Sequence, residues 1–131
     1  MSDQELIVLA KKARENSYSP YSGFKVGAAL LCKSGNVYLG ANAENASYSL
    51  TVCAERAALF AALSNGEREF EAIAVLGGKD AEISDFCPPC GACRQALAEF
   101  SRDGSLKVIT TDGNDVRALP LAKLLPESFS L

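Results

Sequence analysis

FKVGAALLCKSGNVYLGA, residues 24–41, is the stretch on which the fold turns. Residues 24–32 and 37–41 are strand-like, and Ser34, Gly35 and Asn36 between them are turn formers, so the stretch reads as a hairpin. On its N-terminal side, YSPYSG (18–23) is a loop. Before that, Ser2 followed by Glu5 is a capping-box pair opening a helix through about residue 16, with Leu6, Leu9, Ala10 and Ala13 on one face. On its C-terminal side, the polar loop NAENASYSL (42–50) leads into an Ala-rich helix over about 53–63, which Asn65-Gly66 stops. EAIAVL (71–76) is the next strand, ended by a turn at Gly77-Gly78. A long loop through Asp80 and Asp85 then reaches CPPCGAC (87–93). A third helix begins near Pro89 or Cys90 and runs to residue 100. Residues 106–111 form a strand, the turn Asp112-Gly113-Asn114 folds a short strand (116–119) beside it, and a brief helix (121–125) stops at Pro126. This order predicts an α/β fold of three layers, α/β/α, around a five-stranded mixed sheet: a leading hairpin, then crossovers that require helices. No repeat or linker interrupts the chain, so residues 1–131 are expected to form one catalytic domain.

The 131 residues include no histidine. That excludes a Ser-His-Asp triad, a Cys-His pair and imidazole-ligated zinc, leaving carboxylates, thiolates and metal-activated water as bases. Thirteen Lys and Arg against sixteen Asp and Glu give a net charge of −3, which argues against a polynucleotide ligand, since neutralising phosphates requires positive charge. No apolar stretch approaches the ~20 residues of a membrane span. The opening MSDQELIVLAKKAR is an amphipathic helix with acidic residues first, unlike a secretory signal. The expectation is a cytoplasmic protein with a small-molecule ligand and neither a nucleic-acid nor a membrane partner.

Five cysteines, an odd number, make a poor disulfide framework. Cys32 lies in the apolar hairpin and reads as core. The others gather near two helix starts: Cys53 in TVCAER, and Cys87, Cys90 and Cys93 in CPPCGAC. Cys-x-x-Cys at a helix N-terminus lets both sulfurs point at one ion, and the helix dipole favours the thiolates. Cys53 could supply a third ligand from the other helix start, leaving the fourth position of a catalytic zinc open for water. Glu55, two residues beyond Cys53, is close enough to move that water's proton without being a ligand. Three thiolates also need charge drawn away from them. Arg56, three residues after Cys53, and Arg94, next to Cys93, are candidates, with Arg56 favoured and an ordinary solvated arginine as the alternative. Cys87 could instead close the tetrahedron as a structural zinc knuckle, which leaves Glu55 without a task. A redox role for Cys87-Pro-Pro-Cys90 lacks a thioredoxin-like strand leading into it.

C-A-E followed by P-C-x-x-C is the pattern of zinc deaminases in their three-cysteine form. YSPYSGFKVGAAL, NAENASY, TVCAERAAL, PPCGACRQ and LLPESF, in this order over nearly the whole chain, resemble the small homotetrameric class of cytidine deaminases. The resemblance implies one Zn2+ per chain on Cys53, Cys90 and Cys93, with Glu55 as proton shuttle. It implies Asn42 and Glu44 at the ribose 3′-hydroxyl, Phe24 lining the nucleoside pocket, and the Ala54 backbone N–H on the pyrimidine 2-oxo group. Pro88 stands where the family usually has Ser or Thr, whose carbonyl faces the leaving amino group. Phe129 matches an aromatic that reaches the base from a neighbouring subunit, so the expected assembly is a homotetramer with shared active sites. The activity so implied is hydrolytic deamination of cytidine and 2′-deoxycytidine in pyrimidine salvage. Alternatives are deamination of another cytosine nucleoside-like compound, or a non-catalytic zinc-binding module.

Overall fold

Strand β1 (Lys25–Cys32) is buried over residues 27–32, so each of its faces requires a covering layer. The computed structural model, which describes residues 1–79 and 82–131, supplies both layers. Asp80, expected in the loop before the cysteine cluster, lies outside the described residues. Helix α1 (Asp3–Arg14) starts at Ser2, whose Oγ accepts the Glu5 N–H at 3.1 Å. After β1 come β2 (Val37–Ala41), a single 3-10 turn (Tyr48–Leu50), α2 (Ala54–Ser64), β3 (Phe70–Gly78), α3 (Gly91–Ala98), β4 (Lys107–Thr111), β5 (Val116–Pro120) and α4 (Leu121–Leu124). The strands lie in the order β2-β1-β3-β4-β5. Only the β3–β4 pair is parallel, so the sheet is five-stranded and mixed as expected.

Alternation along β1 divides the core. Ala29 and Leu31 face α1 with its Leu6, Ile7 and Ala10. Ala28, Leu30 and Cys32 face α2 and α3, meeting Ala58, Leu59 and Leu97. The result is the three-layer α/β/α arrangement. Cys32 is fully buried, as expected of a core thiol. Two glycines let the helices approach the sheet. A Cβ on Gly27 would run into the Ala10 carbonyl oxygen and the Arg14 amide of α1, and one on Gly40 into the Ala54 carbonyl oxygen and the Ala58 amide of α2.

The structure corrects the reading of Gly77-Gly78 as a turn. Strand β3 continues through both glycines, with Gly77 opposite Val26 and Gly78 opposite Lys25. The hydrogen-bonding partner β1 decides this: a local turn preference yields where a neighbouring strand satisfies the backbone. Arg14 seals the same end. This buried side chain donates from Nε to the Lys25 carbonyl at 2.9 Å and from Nη2 to the Gly78 carbonyl at 2.6 Å. The helix ends also differ slightly from expectation: α1 stops at Arg14, and α3 runs from Gly91 to Ala98. Among the described residues, no helix is long and apolar enough to cross a membrane.

Candidate active site

Cys53 and Cys90 occupy the same structural position on two helices: each is the N-cap, Cys53 of α2 and Cys90 of α3, with extended backbone. Cys93 is the third residue of α3. The N-cap and N3 side chains of a helix project to the same side of its first turn, the relation a capping box exploits. Cys90 Sγ therefore lies 3.5 Å from Cys93 Sγ. Packing of α2 on Gly40 brings Cys53 Sγ to 3.7 Å from Cys90 Sγ. All three sulfurs lie within 4.8 Å of one another.

Three sulfurs this close repel one another as thiolates unless a cation lies between them. Tetrahedral zinc with Zn–S bonds of about 2.3 Å needs sulfurs about 3.8 Å apart, and the observed separations suit it. The donor set matches a soft, thiolate-preferring ion. Cys87 lies outside the cluster, so the four-thiol knuckle is not what these residues form.

The charges around the thiols are arranged for this purpose. Arg56 Nη2 is 3.6 Å from Cys53 Sγ, and Arg56 Nε is buried without a hydrogen-bond partner. The Cys53 thiol is lowered to about 5, first by hydrogen bonding with Cys93 and then by Arg56 and Cys90, against the effect of burial. Cys93 is raised, chiefly because its proton is held toward Cys53. Arg94 does not join the cluster: its Nε donates to the Pro89 carbonyl and its Nη1 to the Leu124 carbonyl, both at 2.7 Å. The question of which arginine approaches a thiol is answered by position on the helix turn.

A cavity of about 190 Å³ opens beside the cluster, lined by Val26, Asn42, Thr51, Cys53, Ala54, Glu55, Cys87, Pro88 and Cys90. A larger hollow of about 340 Å³ beside α1 has no thiol in its wall. Chemistry, not volume, distinguishes the site. Glu55 is only 4% exposed, and burial foremost pushes its carboxyl above the usual carboxylate range, with Cys53 adding to the effect. Ala54 is the first residue of α2, so its N–H has no acceptor within the helix. Burial likewise raises the Cys87 thiol to about 11.

Other expected site residues are placed differently. Asn42 is buried and lines the cavity, but its side chain also staples β1. Its Oδ1 accepts from Val26 N–H at 2.9 Å and from the Ser17 hydroxyl, and its Nδ2 donates to the Phe24 carbonyl at 2.8 Å. Glu44 is outside the cavity lining. Its carboxylate accepts from the Tyr21 and Ser22 N–H groups at 2.9 and 3.1 Å and from the Ser22 hydroxyl, ordering the YSPYSG loop. Phe24 is 37% exposed and borders the cavity through its neighbours. Phe129 is 69% exposed and does not line the cavity. Val26, Thr51 and Cys87 line it without having been singled out for that role. A hint was available for Thr51, which sits two residues before Cys53 in TVCAER, but none for Val26, which periodicity assigns to the core.

A three-layer α/β/α fold that sets a three-thiol cluster and a buried carboxylate beside one cavity is the arrangement of a zinc-dependent deaminase. The family described as "Cytidine and deoxycytidylate deaminase zinc-binding region" matches residues 1–109. The chain is 50% identical to the cytidine deaminase of Sporosarcina psychrophila, over 99% of this chain and 93% of that protein. It is 48% identical to that of Halalkalibacterium halodurans, over 99% and 96%. The crystal structure of cytidine deaminase from Burkholderia pseudomallei superposes with a TM-score of 0.90 at 50% identity, covering 98% of this chain and 100% of that one. That from Mycobacterium tuberculosis gives 0.86 at 37%, covering 100% and 99%. The chain belongs to the cytidine and deoxycytidylate deaminase family, and Cys53, Cys90 and Cys93 form the cluster able to hold its metal ion.

Proposed function

We infer that this chain hydrolyses cytidine and 2′-deoxycytidine to uridine and 2′-deoxyuridine with release of ammonia, as a step of pyrimidine salvage. The observation that carries the reading is a carboxylate, Glu55, buried beside a three-thiol cluster on the wall of one cavity. Water adds to C4 of the pyrimidine, the C4–N4 bond breaks, and protons must leave the water and reach N3 and the departing nitrogen. Bound zinc supplies the Lewis acidity that makes water nucleophilic near neutral pH. Glu55 takes the proton on a carboxylate oxygen and passes it on. Burial raises its affinity for that proton toward the operating pH, which suits a group that must both accept and donate.

The remaining assignments are those the family resemblance implies, and the groups they need are present. The unpaired Ala54 N–H is offered to the 2-oxo group, and the Pro88 carbonyl to the leaving amino group. Asn42 keeps one Nδ2 hydrogen beyond its bond to Phe24, available to the ribose 3′-hydroxyl. Glu44 joins it there, because a carboxylate has lone pairs beyond those its loop uses. Phe24 borders the base, and Arg56 draws charge from the Cys53 sulfur. One zinc per chain is held by Cys53, Cys90 and Cys93.

Residues 1–131 act as one catalytic domain within a cytoplasmic homotetramer, with no nucleic-acid or membrane partner. Exposed Tyr18, Tyr21, Tyr48 and Leu50 on the loops beside the cavity favour an assembly that covers them, and Phe129 of a neighbour then reaches the base. Incubating the purified protein with cytidine tests the reading directly. Conversion to uridine with stoichiometric ammonia is expected; a zinc-loaded protein that leaves cytidine intact would overturn it.

A further inference from the structure

Gly77 sits inside β3 opposite Val26, and its φ is not positive. Its backbone is one that any residue adopts, so conformation does not demand glycine here. What the missing side chain provides is room. A Cβ on Gly77 would lie 2.9 Å from Cε1 of Phe24, 3.0 Å from Cγ2 of Val26 and 3.1 Å from Sγ of Cys87. Each is shorter than the ~3.5–4.0 Å at which such atoms normally rest. Val26 and Cys87 are cavity-lining residues, and the Phe24 ring lies beside them.

The strand behind Gly77 has nowhere to retreat. Arg14 reaches in from α1 and holds the Gly78 and Lys25 carbonyls, the two ends of the adjacent peptide pairing. A methyl group at position 77 must therefore be accommodated on the other side, by moving Phe24, Val26 and Cys87 toward the cavity. The geometry points to Gly77 as the residue that sets the cavity's width on its β1–β3 wall: the space over it recesses three side chains that would otherwise crowd the nucleoside. Glu55 and the cluster thiols are carried by the α2 and α3 starts rather than by β1 or β3, so crowding over Gly77 is read first in nucleoside binding. This rests on the deaminase reading above.

Four variants test it: Gly77→Ala, Cys87→Ala, the double variant, and Gly78→Ala as a control. A Cβ on Gly78 faces the Glu82 carbonyl oxygen at 3.3 Å and Arg14 Nη2 at 3.6 Å, away from the Gly77 wall. Gly77→Ala is expected to raise the KM for cytidine about tenfold with kcat within about twofold. In the double variant the sulfur, one of the three crowding atoms, is gone, and the KM penalty of Gly77→Ala falls by about threefold or more relative to the same change with Cys87 present. Gly78→Ala leaves KM within about twofold of the unmodified protein. Calorimetric binding of uridine should follow the same order. Equal KM penalties with and without Cys87, or unchanged KM and uridine affinity in Gly77→Ala, would overturn the inference. Should Gly77→Ala fail to fold, the double variant decides: recovery of the fold supports the crowding argument and continued unfolding refutes it. Unmodified protein inert toward cytidine defeats the deaminase reading; an active one indifferent to Gly77→Ala defeats this inference alone.

Discussion

Gly40 of β2 and Ala54, the first residue of α2, pack so closely that a side chain at Gly40 would occupy the place of the Ala54 carbonyl oxygen. This contact seats the helix start that carries Cys53 and Glu55, with the Ala54 N–H between them. A methyl at Gly40 must push that start away from the sheet. Gly40→Ala is expected to lose about 1–3 kcal/mol of stability and, with it, zinc affinity. Gly27→Ala, which crowds α1 on the opposite face, should destabilise similarly while folded protein keeps its zinc. Denaturant melts together with metal analysis separate the two.

Glu55 is close to the thiols without being part of their cluster. Glu55→Gln keeps the side chain's shape and removes its ability to carry the proton. The variant should fold and bind about one zinc per chain through its three thiols. Its turnover of cytidine should fall by about 10²–10⁴-fold. Near-normal turnover would reassign the proton shuttle.

Asn42 performs a structural task as well as the proposed binding one. Removing its amide leaves the Val26 N–H and the Phe24 carbonyl without partners. Each group is part-buried, so leaving it unpaired costs at most about 1–3 kcal/mol. Asn42→Ala is therefore expected to lower the melting temperature markedly as well as raise KM. A variant with unchanged melting but raised KM would limit Asn42 to the nucleoside.

The turn of the β1–β2 hairpin is tied to the segment after α2 by Glu67, which accepts from Asn36 Nδ2 at 2.8 Å, the Ser34 hydroxyl at 2.9 Å and the Tyr38 hydroxyl at 3.2 Å. The Asn36 bond foremost holds the Glu67 carboxyl below the usual range. A carboxyl depressed in the folded state contributes stability above its unfolded value of about 4.3, and loses it as pH falls through the folded value. Acidification from about pH 6 to pH 3 should therefore lower the melting temperature less steeply in Glu67→Gln than in the unmodified protein. Parallel slopes would show that the clamp contributes nothing.

Phe129 is exposed at the end of the chain and stands apart from the cavity of its own subunit. If a neighbour's Phe129 reaches the base, Phe129→Ala raises KM for cytidine about tenfold without changing zinc content. Light scattering on the same samples establishes whether the assembly persists. A wild-type monomer that is fully active would refute the shared site.

Much of this protein was legible in one dimension. The three clustered cysteines, Glu55 and the α/β/α order depend on local patterns: thiols at two helix starts, the spacing of a first helical turn, and a hairpin followed by crossovers. The absence of histidine removed imidazole from the possible ligands and left thiolates and carboxylates. Local spacing determines these features because N-cap and N3 side chains converge within one turn whatever surrounds them.

What only the tertiary structure decided are matters of contact between distant segments. Gly77-Gly78 looks like a turn until β1 pairs with it. Arg14 looks like an ordinary last-turn cation until it reaches the two carbonyls that close β1 on β3. Arg94 adjoins Cys93 in sequence and Arg56 follows Cys53 by three residues, yet only Arg56 is directed at a thiol, while the Leu124 carbonyl of α4 claims Arg94. Val26 and Cys87 become cavity walls because the sheet and the ligand loop meet over a glycine. Sequence determines what each residue can offer; packing between segments far apart in the chain determines which of those offers meet.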